Sequence, residues 1–106
     1  YADDIISSIE YIFEYVKGME FEDFKEDRKT FLAVVKELEI IGEAIKHIKN
    51  DLKRIDKSYP YEQIVGFRNI LVHEYFGINY TIVWNVIFYE LPQLNKIMEK
   101  FLKETK

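Results

Sequence analysis

DRKTFLAVVKELEIIGEAIKHIKNDLKR, residues 27–54, places Phe31, Val34, Leu38, Ile41, Ile45, Ile48 and Leu52 at alternating steps of three and four. That spacing keeps seven apolar side chains on one stripe of an α-helix and fits no strand, whose faces alternate every second residue. It predicts one long helix, roughly Asp27 to Arg54. A stripe this regular suits either burial inside the chain or a seam between two copies of it. Near its middle, Gly42 and Ala44 leave room for close approach of a second helix. Glycine costs about 1 kcal/mol of helix propensity relative to alanine, so Gly42 is expected to have a packing reason.

Working outward, Ile5, Ile9, Ile12 and Val16 repeat at helical spacing and predict a first helix from about Ala2 to Lys17, ended by Gly18. Phe21 and Phe24 sit in an acidic connector with room for a single helical turn. On the other side, 57–61 reads as a turn, with Pro60 suited to the first turn of a third helix that runs to about Phe76 and stops at Gly77. Asn79 can cap a fourth helix carrying Ile82, Val83, Val86 and Ile87, with Trp84 beside them. Pro92 should kink the chain or begin a fifth helix bearing Leu94, Ile97, Met98, Phe101 and Leu102. No alternating pattern competes, so the expected architecture is an all-α bundle of four to five helices.

Composition narrows the class. A chain of 106 residues allows one domain, 1–106, and 48% hydrophobic residues suffice for a core. The 16% aromatic content should pack between helices. Absence of cysteine excludes disulfides and thiolate metal sites and fits a cytoplasmic protein. No apolar run approaches the ~20 residues of a membrane span, and no signal peptide is visible, although the chain starts at Tyr1 rather than Met. A net charge of −4 and a pI near 5.2 argue against indiscriminate nucleic-acid binding. Two basic stretches stand out: Lys46, Lys49, Lys53, Arg54 and Lys57, and then Lys96, Lys100, Lys103 and Lys106. Both are diluted by acids and read most simply as solvated faces.

Chemistry concentrates in RNILVHEY, residues 68–75, which holds one of only two histidines. On a helix with Arg68 at zero, Asn69 falls at roughly 100°, His73 at roughly 140° and Tyr75 at roughly 340°. These four share one arc, while Ile70 and Leu71 face away from it. Arg68 offers a planar cationic fork to a phosphate. His73 can remove a proton near neutrality and return one to a leaving group. Asn69, four residues from His73, can orient it or a hydroxyl. The set suits attack of an RNA 2′-hydroxyl on the neighbouring phosphate, which needs no metal, and no metal-ligand cluster is evident. Cleavage wants both a base and an acid. His47 sits among lysines on the long helix and reads as a surface residue, so a second copy of the chain would have to complete the site across a two-fold axis. By spacing alone the stretch reads more simply as a helix-end histidine favoured by the dipole and an Arg68 paired to Glu62 or Glu74.

The RNILVHEY stretch resembles the Arg-x4-His-x-Tyr signature of the HEPN superfamily, specifically its HepT-like ribonuclease toxins. The resemblance extends to 38–44 (LEIIGEA), 64–67 (IVGF), Tyr75 to Ile78, Val83-Trp84 and 91–94 (LPQL), and so covers nearly the whole chain in order. It implies a helical HEPN fold, a homodimer with a composite site, and metal-independent RNA cleavage. Arg68 and His73 would be catalytic, with Asn69 in support. It further implies the toxin role in a type VII toxin–antitoxin system. The antitoxin would be a MntA-like minimal nucleotidyltransferase that uses ATP to place AMP on Tyr75. The toxin itself would carry no cofactor. Glu39 and Glu43 match the family's second helix without an assigned role and read as solvated or ion-paired. The resemblance also admits a non-catalytic nucleotide- or partner-binding module associated with a nucleotidyltransferase.

Overall fold

The computed structural model describes residues 1–66 and 80–104. Every regular element among them is helical: α1 (Ala2–Val16), α2 (Phe21–Glu26), α3 (Arg28–Lys53), α4 (described over 61–66), α5 (Tyr80–Asn85), a π turn (Val86–Glu90) and α6 (Leu91–Glu104). The expected all-α bundle is therefore observed.

The long helix has the extent its pattern predicted. Asp27 caps it, with Oδ1 accepting the Thr30 N–H at 3.0 Å and Oδ2 the Thr30 hydroxyl at 2.8 Å. These bonds hold the Asp27 carboxyl below its ordinary range. Of the apolar stripe, Phe31, Val34, Leu38, Ile41, Ile45 and Leu52 are buried within this one chain, and Ile48 is half-buried. The stripe is thus core, which settles the choice between intramolecular burial and an intermolecular seam. Gly42 and Ala44 are buried with it.

Its main partner is α1, whose Ile5, Ile9, Ile12 and Val16 are all buried. Tyr1 lies on His47 and Ser8 on Glu37, so the two helices run antiparallel. One polar contact pins their register. Buried Ser8 donates to Glu37 Oε1 at 2.9 Å, and Tyr15 donates to Glu37 Oε2 at 3.3 Å. Gly18 follows α1 with φ +80°, the left-handed conformation that glycine adopts without steric cost.

The Phe21–Phe24 connector is a short helix, begun by the Glu20 N–H donating to Asp23 Oδ2 at 2.9 Å. It lays Phe24 into a row of rings. Phe13 meets Phe88, Phe88 meets Trp84 at 4.6 Å, Trp84 meets Phe24 at 5.1 Å, Phe24 meets Phe31 and Phe31 meets Tyr80 at 4.4 Å. This row ties α1, α2, α3 and α5 together and accounts for much of the aromatic content.

In the C-terminal half, Pro92 lies in the first turn of α6 (Leu91–Glu104), which follows α5 and the π turn without a gap, so the departure at the proline takes the form of an irregular turn within one helical run. In a regular helix Pro92 would lack the N–H that bonds four residues back, and its ring would press on the Phe88 carbonyl. The wider turn just before it lets the Leu91 N–H reach the Val86 carbonyl, five residues back. Val83, Ile87 and Leu91, at successive steps of four, are all buried along the run.

Candidate active site

Arg68, Asn69, His73 and Tyr75 lie outside the described residues, as do Asn79, Phe76 and Gly77. What is described is how the chain enters that stretch and leaves it. Entry is fixed at three points. Pro60 gives its carbonyl to the Gln63 and Ile64 N–H groups and so begins α4 one residue later than the motif placed it. Fully buried Tyr61 has its hydroxyl 3.1 Å from the Leu52 carbonyl and 2.8 Å from the Asp56 carbonyl, satisfying acceptors at the end of α3. Burial and the nearby Asp56 charge push the Tyr61 hydroxyl up to about 12, so it remains a donor through the neutral range. Tyr59, also buried and 5.0 Å ring-to-ring from Tyr61, donates to the Glu90 carbonyl at 3.0 Å, where the π turn hands over to α6.

The third point is electrostatic. Glu62 Oε1 accepts from Lys49 and Lys53 of α3, each at 3.1 Å, and these two ammonium groups hold its carboxyl down at about 2. Arg54 meets Asp51 at 2.7 Å. Much of the first basic stretch is therefore matched by acids of the same chain. On the exit side, Tyr80 opens α5 against Phe31.

His47 is half-exposed, stacks on Tyr1 at 4.3 Å and has its Nε2 3.5 Å from Glu43 Oε1. It is the surface histidine its neighbours suggested. Glu39 lies 3.9 Å from Lys36, so Glu39 and Glu43 both take part in ion-pair contacts. Among the described residues no group of three or more His, Asp or Glu side chains is placed to hold a metal ion, and no helix is long and apolar enough to cross a membrane.

The Tyr59–Tyr61–Glu62 clamp was not read from the sequence. Its partners lie 5 to 31 positions away along the chain. The available local signal was two aromatics flanking a proline at a helix start, a place where buried hydroxyls find helix-end carbonyls.

Comparison with known proteins supplies the family. The family model described as "Ribonuclease HepT-like" matches residues 5–101. The chain belongs to the HepT-like ribonuclease family. It is 41% identical over 106 residues to "Putative RNase TTE0752" of Caldanaerobacter subterraneus, covering all of this chain and 95% of the relative. It is 41% identical over 103 residues to "Probable ribonuclease HepT" of Thermococcus cleftensis, covering 97% and 94%. A third relative, "Putative RNase MJ1216" of Methanocaldococcus jannaschii, is 38% identical over 101 residues, covering 95% and 84%. No solved structure matches.

Proposed function

We propose that this HepT-like chain is an RNA endonuclease that needs no metal ion, the toxin of a type VII toxin–antitoxin pair, with its site completed by a second copy of itself. The carrying observation is that the match to the HepT-like ribonucleases runs over residues 5–101 and so takes in the whole Arg68–Tyr75 stretch.

In this reading the neutral His73 imidazole removes the proton from an RNA 2′-hydroxyl, whose oxygen attacks the adjacent phosphorus. The bond to the 5′-oxygen breaks, and the imidazolium of His73 in the second copy protonates that leaving oxygen. The products are a 2′,3′-cyclic phosphate and a 5′-hydroxyl. Arg68 stabilises the charge gathering on the non-bridging oxygens, and Asn69 orients the imidazole. DNA, without the 2′-hydroxyl, is spared.

The purified protein is expected to cleave RNA in the presence of EDTA, with His73→Ala reducing cleavage by about 10²–10⁴-fold, the usual contribution of a positioned acid–base group. Wild-type cleavage by that variant would sink the proposal.

Control falls to Tyr75. Its phenolate attacks the α-phosphorus of ATP held by a MntA-like minimal nucleotidyltransferase, pyrophosphate leaves, and AMP remains on the tyrosine. The bulky anion beside Arg68 then occupies the phosphate site and repels RNA. Mass spectrometry after incubation with the partner and ATP should find AMP-sized increments on the peptide holding Tyr75, absent from Tyr75→Phe. Equal labelling of that variant would place the modification elsewhere.

A second reading, a non-catalytic module that binds a nucleotide or a nucleotidyltransferase, is favoured by one observation. The chain is acidic, and Lys49, Lys53 and Arg54 already have carboxylate partners. It predicts no cleavage of any RNA by the wild-type protein.

A further inference from the structure

Beyond the 68–75 stretch, the surface holds a pocket of about 500 Å³ where the end of α3 meets the π turn and α6. That volume falls within the ~300–1,000 Å³ of small-ligand sites. Its lining divides by chemistry. Ile55, Pro92 and Ile97 form an apolar part, Asp56 and Gln93 a polar edge, Tyr89 an aromatic wall, and Lys96 and Lys100 a cationic pair one helical turn apart.

Three features set this pocket apart from an ordinary surface hollow. First, its cations are available. Lys49, Lys53 and Arg54 are matched by Glu62 and Asp51, whereas neither Lys96 nor Lys100 makes an ion pair among the described residues. Second, Tyr89 is 74% exposed, so a large ring face is left uncovered by this fold's own packing. Third, the pocket abuts the π turn, a departure from regular helix that is enriched at functional sites. Asp56 is the one acid in the lining. Its Oδ1 is occupied by the Ser58 N–H at 2.9 Å and the Ser58 hydroxyl at 2.7 Å, which hold the carboxyl below its ordinary range. The Gln93 side chain also bonds this carboxylate, so the two form one joined polar edge, charged at neutral pH and unsuited to a phosphate.

A flat aromatic face, a donor–acceptor edge and two cations are the requirements of one nucleotide: a base to stack, an edge to read and a phosphate to neutralise. We propose that this pocket holds a nucleotide of single-stranded RNA, with the base against Tyr89 and the flanking phosphates at Lys96 and Lys100. The pocket grips substrate and does no chemistry. It rests on the reading of this chain as an RNA-cleaving protein, and it answers how an acidic protein holds a polyanion: with one local cationic face.

The test is binding of a fluorescent 2′-O-methyl RNA oligonucleotide, which cannot supply the attacking hydroxyl, followed by anisotropy across a salt series. Lys96→Gln/Lys100→Gln should weaken binding about ten-fold and make the plot of log affinity against log salt shallower by about 1.4, from ~0.7 per phosphate contact on a single strand. Tyr89→Ala should weaken binding about ten-fold through lost stacking, while Lys96→Arg/Lys100→Arg retains it. All three residues are exposed, so these changes leave the fold in place. Wild-type binding by both the glutamine and alanine variants would overturn the pocket assignment and leave the cleavage reading intact. Variant-sensitive binding in a protein that cleaves no RNA would support the pocket and remove the cleavage reading. If AMP bound in a variant-sensitive way while RNA binding ignored the substitutions, a free nucleotide would replace RNA as the occupant and the proposal would fall.

Discussion

Single residues at the start of α4 make the stability of this fold depend on pH. Glu62 is held down at about 2 by Lys49 and Lys53, below the ~4.3 of a free glutamate. Its contribution is therefore fully present above about pH 4.5 and is lost as pH falls toward 2. Glu62→Gln should melt below wild type at pH 7, with the difference closing near pH 2. Tyr61 sets the alkaline side. Its hydroxyl is pushed up to about 12 against an ordinary value near 10. Stability from the protonated hydroxyl is present below pH 10 and lost as pH rises through 12. Thermal melts should show a Tyr61→Phe deficit that is constant to pH 10 and narrows above it. Tyr59→Phe removes one buried bond, to the Glu90 carbonyl, and should cost about 1 kcal/mol in denaturant titrations. None of these roles was legible beforehand, because each depends on which distant carbonyl or ammonium the fold brings near.

The helices themselves were far more legible, because apolar spacing states directly which side chains leave water. The stripe in α3 and the one in α1 are both buried as their periods required. Leu38→Ala should cost about 2–5 kcal/mol. Leu32→Ala, on the exposed side of the same helix, should change stability by less than about 0.5 kcal/mol; comparable losses from the two would mean α3 buries a different face. The π turn was not legible: Val83, Ile87 and Leu91 step by four twice, as buried Ser8, Ile12 and Val16 do in the regular helix α1, so only Pro92 marked a departure. The polar stretch at 68–75 is legible only as chemistry. Its arc on a helix is consistent with cleavage and with an inert helix end alike, and the family match is what motivates the cleavage proposal.

For the molecule as a whole, a net charge of −4 has to coexist with an RNA substrate. Much of the first basic stretch is paired internally, so the proposed α6 face would be the one to meet phosphate, and substrate affinity should fall steeply with salt. The proposed composite site, with one base and one acid from two copies, makes a quantitative claim about assembly. When wild type and His73→Ala chains are unfolded together in equal amounts and refolded, activity should fall to about a quarter of the all-wild-type value, since only dimers with two intact copies cleave. Retention of half would mean each copy carries a complete site. The π turn has one more consequence, for what lengths of chain the fold will accept. It is in effect a single surplus residue housed within a helical run. A one-residue deletion at 86–90 could be absorbed as a return to regular winding. The same deletion in α3 would turn everything beyond it by about 100° and lift the apolar stripe off the core. Insertions and deletions should therefore accumulate in the C-terminal helix of relatives and be purged from the long one.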